Sequence, residues 1–452
     1  MHEFTVGFVP FGEVNTPHEV INRRAAQALL ELRALGYPVA ATLPVTDDAE
    51  YADADRAVTD LEKQPLDALI VCVAGWIPTH AVIRVIDRFR HLPMLLWSLA
   101  GWYDEEGKLI STADQAGATA LFPTMKGLGY NCRYVYSVAG QPLPMEKVGD
   151  FLAAAWAVYN LRDARIGSAG YRDMLLYGTM FDGLSLRKTV GVEIEPFELL
   201  EVEQTSKNIA ADAVADCVKF VRATYAFTKE CGDAPIEAAA RYALAIARRV
   251  RDRKYQAVTL IDVDGFKKLL GIPPAMIFML LDRLCGVCTI PENDILGAVT
   301  QLMLHSLTGQ TAPYVEFYEF FEDALLCGVP DFIPAEVTDG QPTIQPAAFG
   351  LLSTSLLNVS KLRTGDVTLA RLQWNDGKYR MQLLRGEARA PRAWEECGWD
   401  APAPQLPSLE IVPEGGVEAF AEKVGAQHII LVYGDQTRRI RWLCDMLGIE
   451  II

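Results

Sequence analysis

The sequence predicts an α/β protein: two Rossmann- or flavodoxin-like parallel-sheet domains followed by a β-rich, barrel-like C-terminal domain. Three observations carry this. From Phe4 to about residue 160, short apolar runs alternate with stretches of helical periodicity, the pattern of a parallel sheet with helices on its faces. The alternation restarts at Arg165-Ile-Gly-Ser-Ala-Gly170, where a short strand runs into glycines. After Gly328 the character changes to prolines at 330, 334, 342 and 346 and to β-rich runs. A chain of 452 residues exceeds what one hydrophobic core usually serves. Domains are therefore expected at 1–162, 163–310 and 311–452.

Within the first domain, Phe4 to Val9 reads as a strand and Pro17 to Leu35 as a helix ending in Gly36. A short strand at Pro38 to Thr42, a helix near Tyr51 to Gln64 and a buried strand at Ala68 to Val73 follow. Helix Thr79 to Phe89 and strand Pro93 to Ser98 continue the pattern. Ligands of such sheets bind beyond the carboxyl ends of the strands. Pro10-Phe11-Gly12, Ala74-Gly75-Trp76 and Leu99-Ala100-Gly101-Trp102 occupy those places, and an indole there offers a flat face to a sugar or simply caps the sheet. No GxGxxG follows the first strand, so nothing supports a dinucleotide.

The second unit runs through strand Val192 to Phe197, helices Asn208 to Phe227 and Pro235 to Arg253, and strand Ala257 to Asp262. Asp262 and Asp264 fall just past that strand, where turn chemistry accounts for them as readily as a site does. In the third, runs Val367 to Leu372 and Tyr379 to Leu384 flank Asn375-Asp376-Gly377, a hairpin signal. Ala388 to Pro413 reads as an irregular loop over the site. Strand His428 to Tyr433 and helix Gln436 to Leu447, closed by Gly448, end the chain.

The chemical centre is expected around Thr289-Ile-Pro-Glu-Asn-Asp-Ile-Leu-Gly-Ala-Val-Thr300 and Tyr314-Val-Glu-Phe-Tyr-Glu-Phe-Phe-Glu-Asp323. Pro291 suits a first helical position, and Ile295, Leu296, Val299, Leu302, Met303 and Leu307 recur at helical spacing after it. This reading puts Glu292 in the first turn of a helix, where the macrodipole alone would favour an acid. Tyr314 to Phe321 reads as a strand, so Glu316 shares a face with Tyr318 and Phe320. A carboxylate on such a covered face needs a partner or a metal. Histidine is scarce, with six in the chain, and His428 opens an apolar strand. Glu292, Glu316 and His428 together would make an oxygen-rich set suited to Mn²⁺ or Mg²⁺ rather than structural zinc.

The formal net charge of −16 disfavours a nucleic acid or an anionic membrane as partner. No apolar run reaches the length of a membrane span, and no signal-peptide pattern opens the chain, so a soluble cytoplasmic protein is expected. Nine cysteines without framework spacing suit a reducing compartment. Cys285-Gly-Val-Cys288 lacks the second pair that would complete a zinc site.

These residues resemble the L-fucose and L-arabinose isomerase superfamily. The resemblance rests on Pro-Glu-Asn-Asp-Ile-Leu-Gly-Ala-Val-Thr at 291–300, the acid of Tyr-Val-Glu-Phe-Tyr at 314–318, Gly-Asp-Val-Thr-Leu-Ala-Arg-Leu at 365–372, and Gln-His-Ile-Ile-Leu-Val-Tyr-Gly at 427–434. It implies an aldose–ketose isomerase with a divalent metal, usually Mn²⁺ but also Mg²⁺ or Co²⁺, held by Glu292, Glu316 and His428. Glu292 and Glu316 would be the acid/base pair working through an enediolate. Which carboxylate is the base stays open. The resemblance also implies a homo-oligomer, a hexamer, in which a neighbouring subunit closes the pocket. Trp76 stands where the fucose branch has a substrate-contacting Trp.

The departures matter as much. The fucose branch commonly has Asp at the position of Glu316. The arabinose branch has a metal-binding His soon after the second acid, and Ala324-Leu-Leu-Cys-Gly-Val-Pro330 has none. A His pair before the last strand is reduced to Gln427-His428. The substrate is therefore not inherited from either enzyme, and a modified hexose such as a sulfonated or deoxy sugar is compatible with a divergent pocket. Two other readings are a non-catalytic sugar-binding or regulatory protein that kept the fold, and a site centred on Asp262, Arg172 or the Gly-Tyr-Arg turn.

Overall fold

A computed structural model describes residues 2–328, 331–349, 352–392 and 407–452. The chain divides into two compact units, Met1–Tyr159 and Asn160–Ile452.

The first unit is built on five parallel strands, ordered Val39–Ala41, Val6–Phe11, Ala68–Val73, Met94–Ser98 and Cys132–Tyr136. Numbered along the chain this is 2-1-3-4-5, the flavodoxin-like doubly wound order. Three of these strands, Val6–Phe11, Ala68–Val73 and Met94–Ser98, are buried at every residue, as expected where helices cover both faces. Helices His18–Ala34, Ala52–Leu61, Thr79–Ile86 and Asp114–Gly127 provide that cover. Beyond the strand ends, the buried Arg24 guanidinium donates to the carbonyls of Ala74 and Ala100 and pairs with Asp114 at 2.8 Å. One cation thus ties together the two loops that follow Ala68–Val73 and Met94–Ser98.

In the second unit, four parallel strands are ordered Cys288–Ile290, Ala257–Leu260, Arg165–Ala169 and Glu193–Phe197. Helices Ala211–Thr224, Ala234–Arg253 and Pro274–Cys285 pack on them, with Phe266, Ile277, Phe278 and Val258 in the core. A closed six-stranded antiparallel barrel follows: Gly365–Asn375, His428–Tyr433, Tyr314–Phe320, Leu325–Gly328, Leu409–Pro413 and Lys378–Arg389, the last pairing back to the first. Closure removes the open edges that would invite aggregation. The expected hairpin is present with longer strands, and its turn places Asp376 and Gly377 at φ 52° and 71°, as a two-residue turn between twisted strands requires.

Helix Ile295–Thr308 contacts both strand Cys288–Ile290 and barrel strand Gly365–Asn375. It is buried nearly all round, which explains why its sequence is apolar on every side. One expectation fails here. The helix does not begin at Pro291, and Glu292 is not in its first turn. Asp294 is the N-cap, accepting from the Gly297 N–H at 2.9 Å, and Glu292 and Asn293 precede it in left-handed backbone at φ 61° and 46°. An Asp cap satisfies an orphan helix donor better than the Pro291 start could, and so fixes the boundary. The expected irregular segment Ala388–Pro413 is strand at both ends, through Arg389 and from Leu409, and residues 393–406 lie outside the described residues. No described helix is long and apolar enough to cross a membrane. Burial pushes the Cys285 and Cys288 thiols up to about 11 and about 12, so neither is a ready thiolate.

Candidate active site

Register assembles half of the site. Strands Tyr314–Phe320 and His428–Tyr433 run antiparallel with Glu316 directly opposite His428. Their side chains therefore meet across the ladder, and His428 Nε2 lies 4.0 Å from Glu316 Oε1. Gln427 Nε2 donates to the same oxygen at 3.0 Å. The imidazole stacks on the Tyr314 ring at 4.3 Å between centroids and 17° between planes. Burial drives its pKa down to about 3, so the ring is neutral and keeps one nitrogen lone pair free to bind.

The other half comes from the left-handed turn. Its main chain is fixed from the parallel sheet: the Asn293 N–H donates to the Leu260 carbonyl at 2.7 Å, and the Glu292 N–H donates to Asp262 Oδ1. The Glu292 side chain then reaches His428, with Oε2 3.5 Å from Nδ1. That oxygen has no hydrogen-bond partner among the described residues. Burial raises the Glu292 carboxyl well above the ordinary range, and the charges of Glu316, Asp331, Asp294 and Asp173 add to it. Glu316 is pushed up to about 7, by burial first and then by Asp331.

The structure thus brings Glu292, Glu316 and His428 together, with the ring between the two carboxylates. Among the described residues no three His, Cys, Asp or Glu side chains form a ready-made metal cage. Trp76 belongs to the first unit, where it follows strand Ala68–Val73 and is 36% exposed.

Three features lie outside the set Glu292, Glu316 and His428, and of them sequence reasoning named only Asp262, as the centre of an alternative site. Asp262 is fully buried and holds the Glu292 backbone, and its Oδ2 has no hydrogen-bond partner among the described residues. Its position past a parallel strand was the available signal, but a turn explained it equally well. Behind it, Asp173 accepts from the N–H groups of Met174, Val263 and Asp264. Asp331 is raised to about 6 by burial, although Lys267 opposes that. The third feature is a buried ion pair, Asp294 with Arg371, at 2.5 and 3.0 Å in a two-point fork. Burial alone would push the Asp294 carboxyl up, but Arg371 and the Gly297 N–H hold it below its ordinary value. Tyr314 also donates to Asp294 at 3.0 Å, so the pair anchors the ring on which His428 stacks.

Residues 354–452 match the family model described as the L-fucose isomerase, C-terminal domain. Across 88% of this chain and 88% of its own, a sulfoquinovose isomerase from Alkalicoccus urumqiensis is 20% identical. The chain thus resembles the L-fucose isomerase superfamily as a divergent relative. A second sulfoquinovose isomerase, from Priestia aryabhattai, is 18% identical over 100% of this chain and 99% of its own. A solved ABC transporter solute-binding protein from Burkholderia multivorans is 12% identical and covers 69% of this chain and 95% of its own, but its TM-score of 0.18 is too low to bear on the fold.

The matched segment contains Arg371 and His428, so the superfamily likeness covers one side of the site. The donor chemistry suits a divalent cation: two carboxyl groups, a neutral imidazole and a buried, unpartnered Glu292 oxygen make a hard, oxygen-rich donor set.

Proposed function

We propose that this fucose-isomerase-like protein interconverts the aldose and ketose forms of a sulfonated hexose, using a divalent metal and the Glu292–Glu316 pair. The observation that carries the reading is His428 set between Glu292, 3.5 Å away, and Glu316, 4.0 Å away, in a largely buried site. The two sulfoquinovose isomerases that match nearly the whole chain support a sulfonated substrate. Glu292, Glu316 and His428 would hold the cation. Bound there, a divalent ion such as Mn²⁺ supplies Lewis acidity at the sugar carbonyl.

The chain's own groups then move protons. One carboxylate, ionised, takes the proton from C2 and returns it to C1. The other, protonated, donates to O1 and recovers a proton from O2, so the proton count balances over the turnover. Tyr314 and Asp294 keep the His428 ring in place while this happens. Asp262 keeps the Glu292 backbone in the turn that aims its side chain. Trp76, exposed past its strand end, is assigned to substrate contact from a neighbouring copy in a homo-oligomer.

The test is isotopic. Metal-stripped protein is incubated with sulfoquinovose in deuterium oxide, with and without Mn²⁺, and exchange at C1 and C2 is followed by NMR. Exchange should require the metal. Glu292→Gln and Glu316→Gln should each lower it by a factor of about 10³ or more, and His428→Ala should weaken metal affinity first. An active Glu316→Gln protein would overturn the proton-transfer assignment.

A further inference from the structure

A cavity of about 290 Å³ opens beside the left-handed turn, lined by Ser168, Tyr171, Arg172, Thr179, Asn293 and Ile295 among others. Asn293 is the residue next to Glu292, so the cavity begins one residue from the proposed proton-transfer pair. Two hydrogen bonds and the chain between them also connect Arg172 to that pair. Arg172 precedes Asp173, Asp173 accepts from the Val263 N–H, and Asp262, the residue before Val263, accepts from the Glu292 N–H.

Arg172 is unusual in this wall. Its Nε is buried with no hydrogen-bond partner, and the guanidinium forms no hydrogen bond or ion pair among the described residues. The guanidinium lies over the Tyr177 ring, 5.0 Å from its centroid, which orients the fork without neutralising it. The nearby acids are engaged elsewhere. Asp173 is occupied by three backbone N–H groups, and Asp264 pairs with Lys268 at 2.7 Å. Other polar groups of the lining are also satisfied: Ser168 with Asn293, Asn293 with the Tyr171 carbonyl, and Thr179 with the Leu176 carbonyl. In a chain with 16 more negative than positive charges, a cation left without an anion is a recognition group in waiting.

We propose that Arg172 binds the sulfonate of the substrate and thereby sets its class. The inference rests on the isomerase reading of the Glu292–Glu316 pair. A sulfonate at C6 lies at the opposite end of the sugar from C1 and C2, and Arg172 lies in a cavity lined by Asn293 but by none of Glu292, Glu316 and His428. Its tetrahedral, singly charged head offers oxygens to two guanidinium donors at once, a geometry that a lysine ammonium does not reproduce.

The experiment compares wild type, Arg172→Lys and Arg172→Met on sulfoquinovose and on glucose, its counterpart with a hydroxyl at C6, with glucose 6-phosphate as a second anion. Steady-state kinetics is paired with calorimetric binding. Arg172→Met should lose on the order of 10²-fold in kcat/KM and in affinity for sulfoquinovose, with about twofold or less on glucose; Arg172→Lys should fall between. Wild type should prefer sulfoquinovose to the phosphate ester. Equal losses on sulfoquinovose and glucose would mean a structural role, and unchanged sulfoquinovose kinetics in Arg172→Met would remove the assignment while leaving the isomerase reading intact. Arg172-dependent binding of sulfoquinovose without any turnover would do the reverse. A wild type that binds no sulfonated sugar, or prefers the phosphate, overturns the proposal.

Discussion

Arg371→Met tests whether the buried ion pair organises the site. Arg371 and Asp294 are each 1% exposed, so neither charge is relieved by water when its partner is lost. Removing the guanidinium breaks contacts at 2.5 and 3.0 Å and leaves Asp294 with the Tyr314 hydroxyl at 3.0 Å and the Gly297 N–H at 2.9 Å. Two neutral donors do not compensate a buried carboxylate. Breaking one partner of such a pair costs about 3–5 kcal/mol, a large part of the roughly 5–15 kcal/mol that holds a domain folded. Urea titration of the single variant should show that loss. Asp294→Asn combined with Arg371→Met removes both charges yet keeps a capping side chain, so it should be more stable than Arg371→Met alone. Below its melting transition, Arg371→Met should also lose kcat, because Asp294 anchors Tyr314 and the residues just before it carry Glu292. A loss under about 1 kcal/mol, or a double variant no more stable than the single one, would refute the reasoning.

Asp282 gives a pH test away from the site. Burial, then the charge of Glu336, raises its carboxyl to about 7. A folded-state value above the unfolded one means stability that is complete below about pH 4 and is lost as pH rises through 7, with a bound of about 4 kcal/mol for the full shift. Partial solvent access reduces this, so Asp282→Asn should be more stable than wild type by about 1–2 kcal/mol at pH 8 and equal to it at pH 4. A constant difference across that range would discard the assignment. Glu292 separates backbone strain from chemistry: Glu292→Gly and Glu292→Ala should both be inactive, but at φ 61° the Gly variant should be the more stable by about 1 kcal/mol by thermal melting. Equal melting temperatures would mean that the turn carries no strain.

The elements of the fold were legible because both sheets bury their central strands on two faces, which writes uninterrupted runs such as Ala68–Val73 into the sequence. The barrel hairpin was legible from Asn375-Asp376-Gly377, since few residues adopt the left-handed turn that Asp376 and Gly377 occupy. Glu316 and His428 could be singled out one at a time as polar residues in apolar strands. Their register across the ladder is a pairing between distant segments, and no local pattern encodes it.

The misreading of Glu292 has a more specific cause. Pro291 and the acid after it satisfy every local rule for a helix start, and Asp294 satisfies the same rules three residues later. The choice between them is made from outside the segment, by the Leu260 carbonyl and the Asp262 carboxylate, which hold the N–H groups of Asn293 and Glu292. A helix start at Pro291 would have wound Glu292 into the first turn. The left-handed turn instead leaves it free to reach His428, at the price of an unfavourable backbone. The departure from the local rule and the placing of Glu292 beside His428 therefore have one origin, the end of strand Ala257–Leu260, where the Leu260 carbonyl and the Asp262 carboxylate hold the turn. This also ranks the residues around the site. Asp262 should matter to activity through Glu292 alone, as a positioning residue, whereas Arg172 acts on the substrate directly.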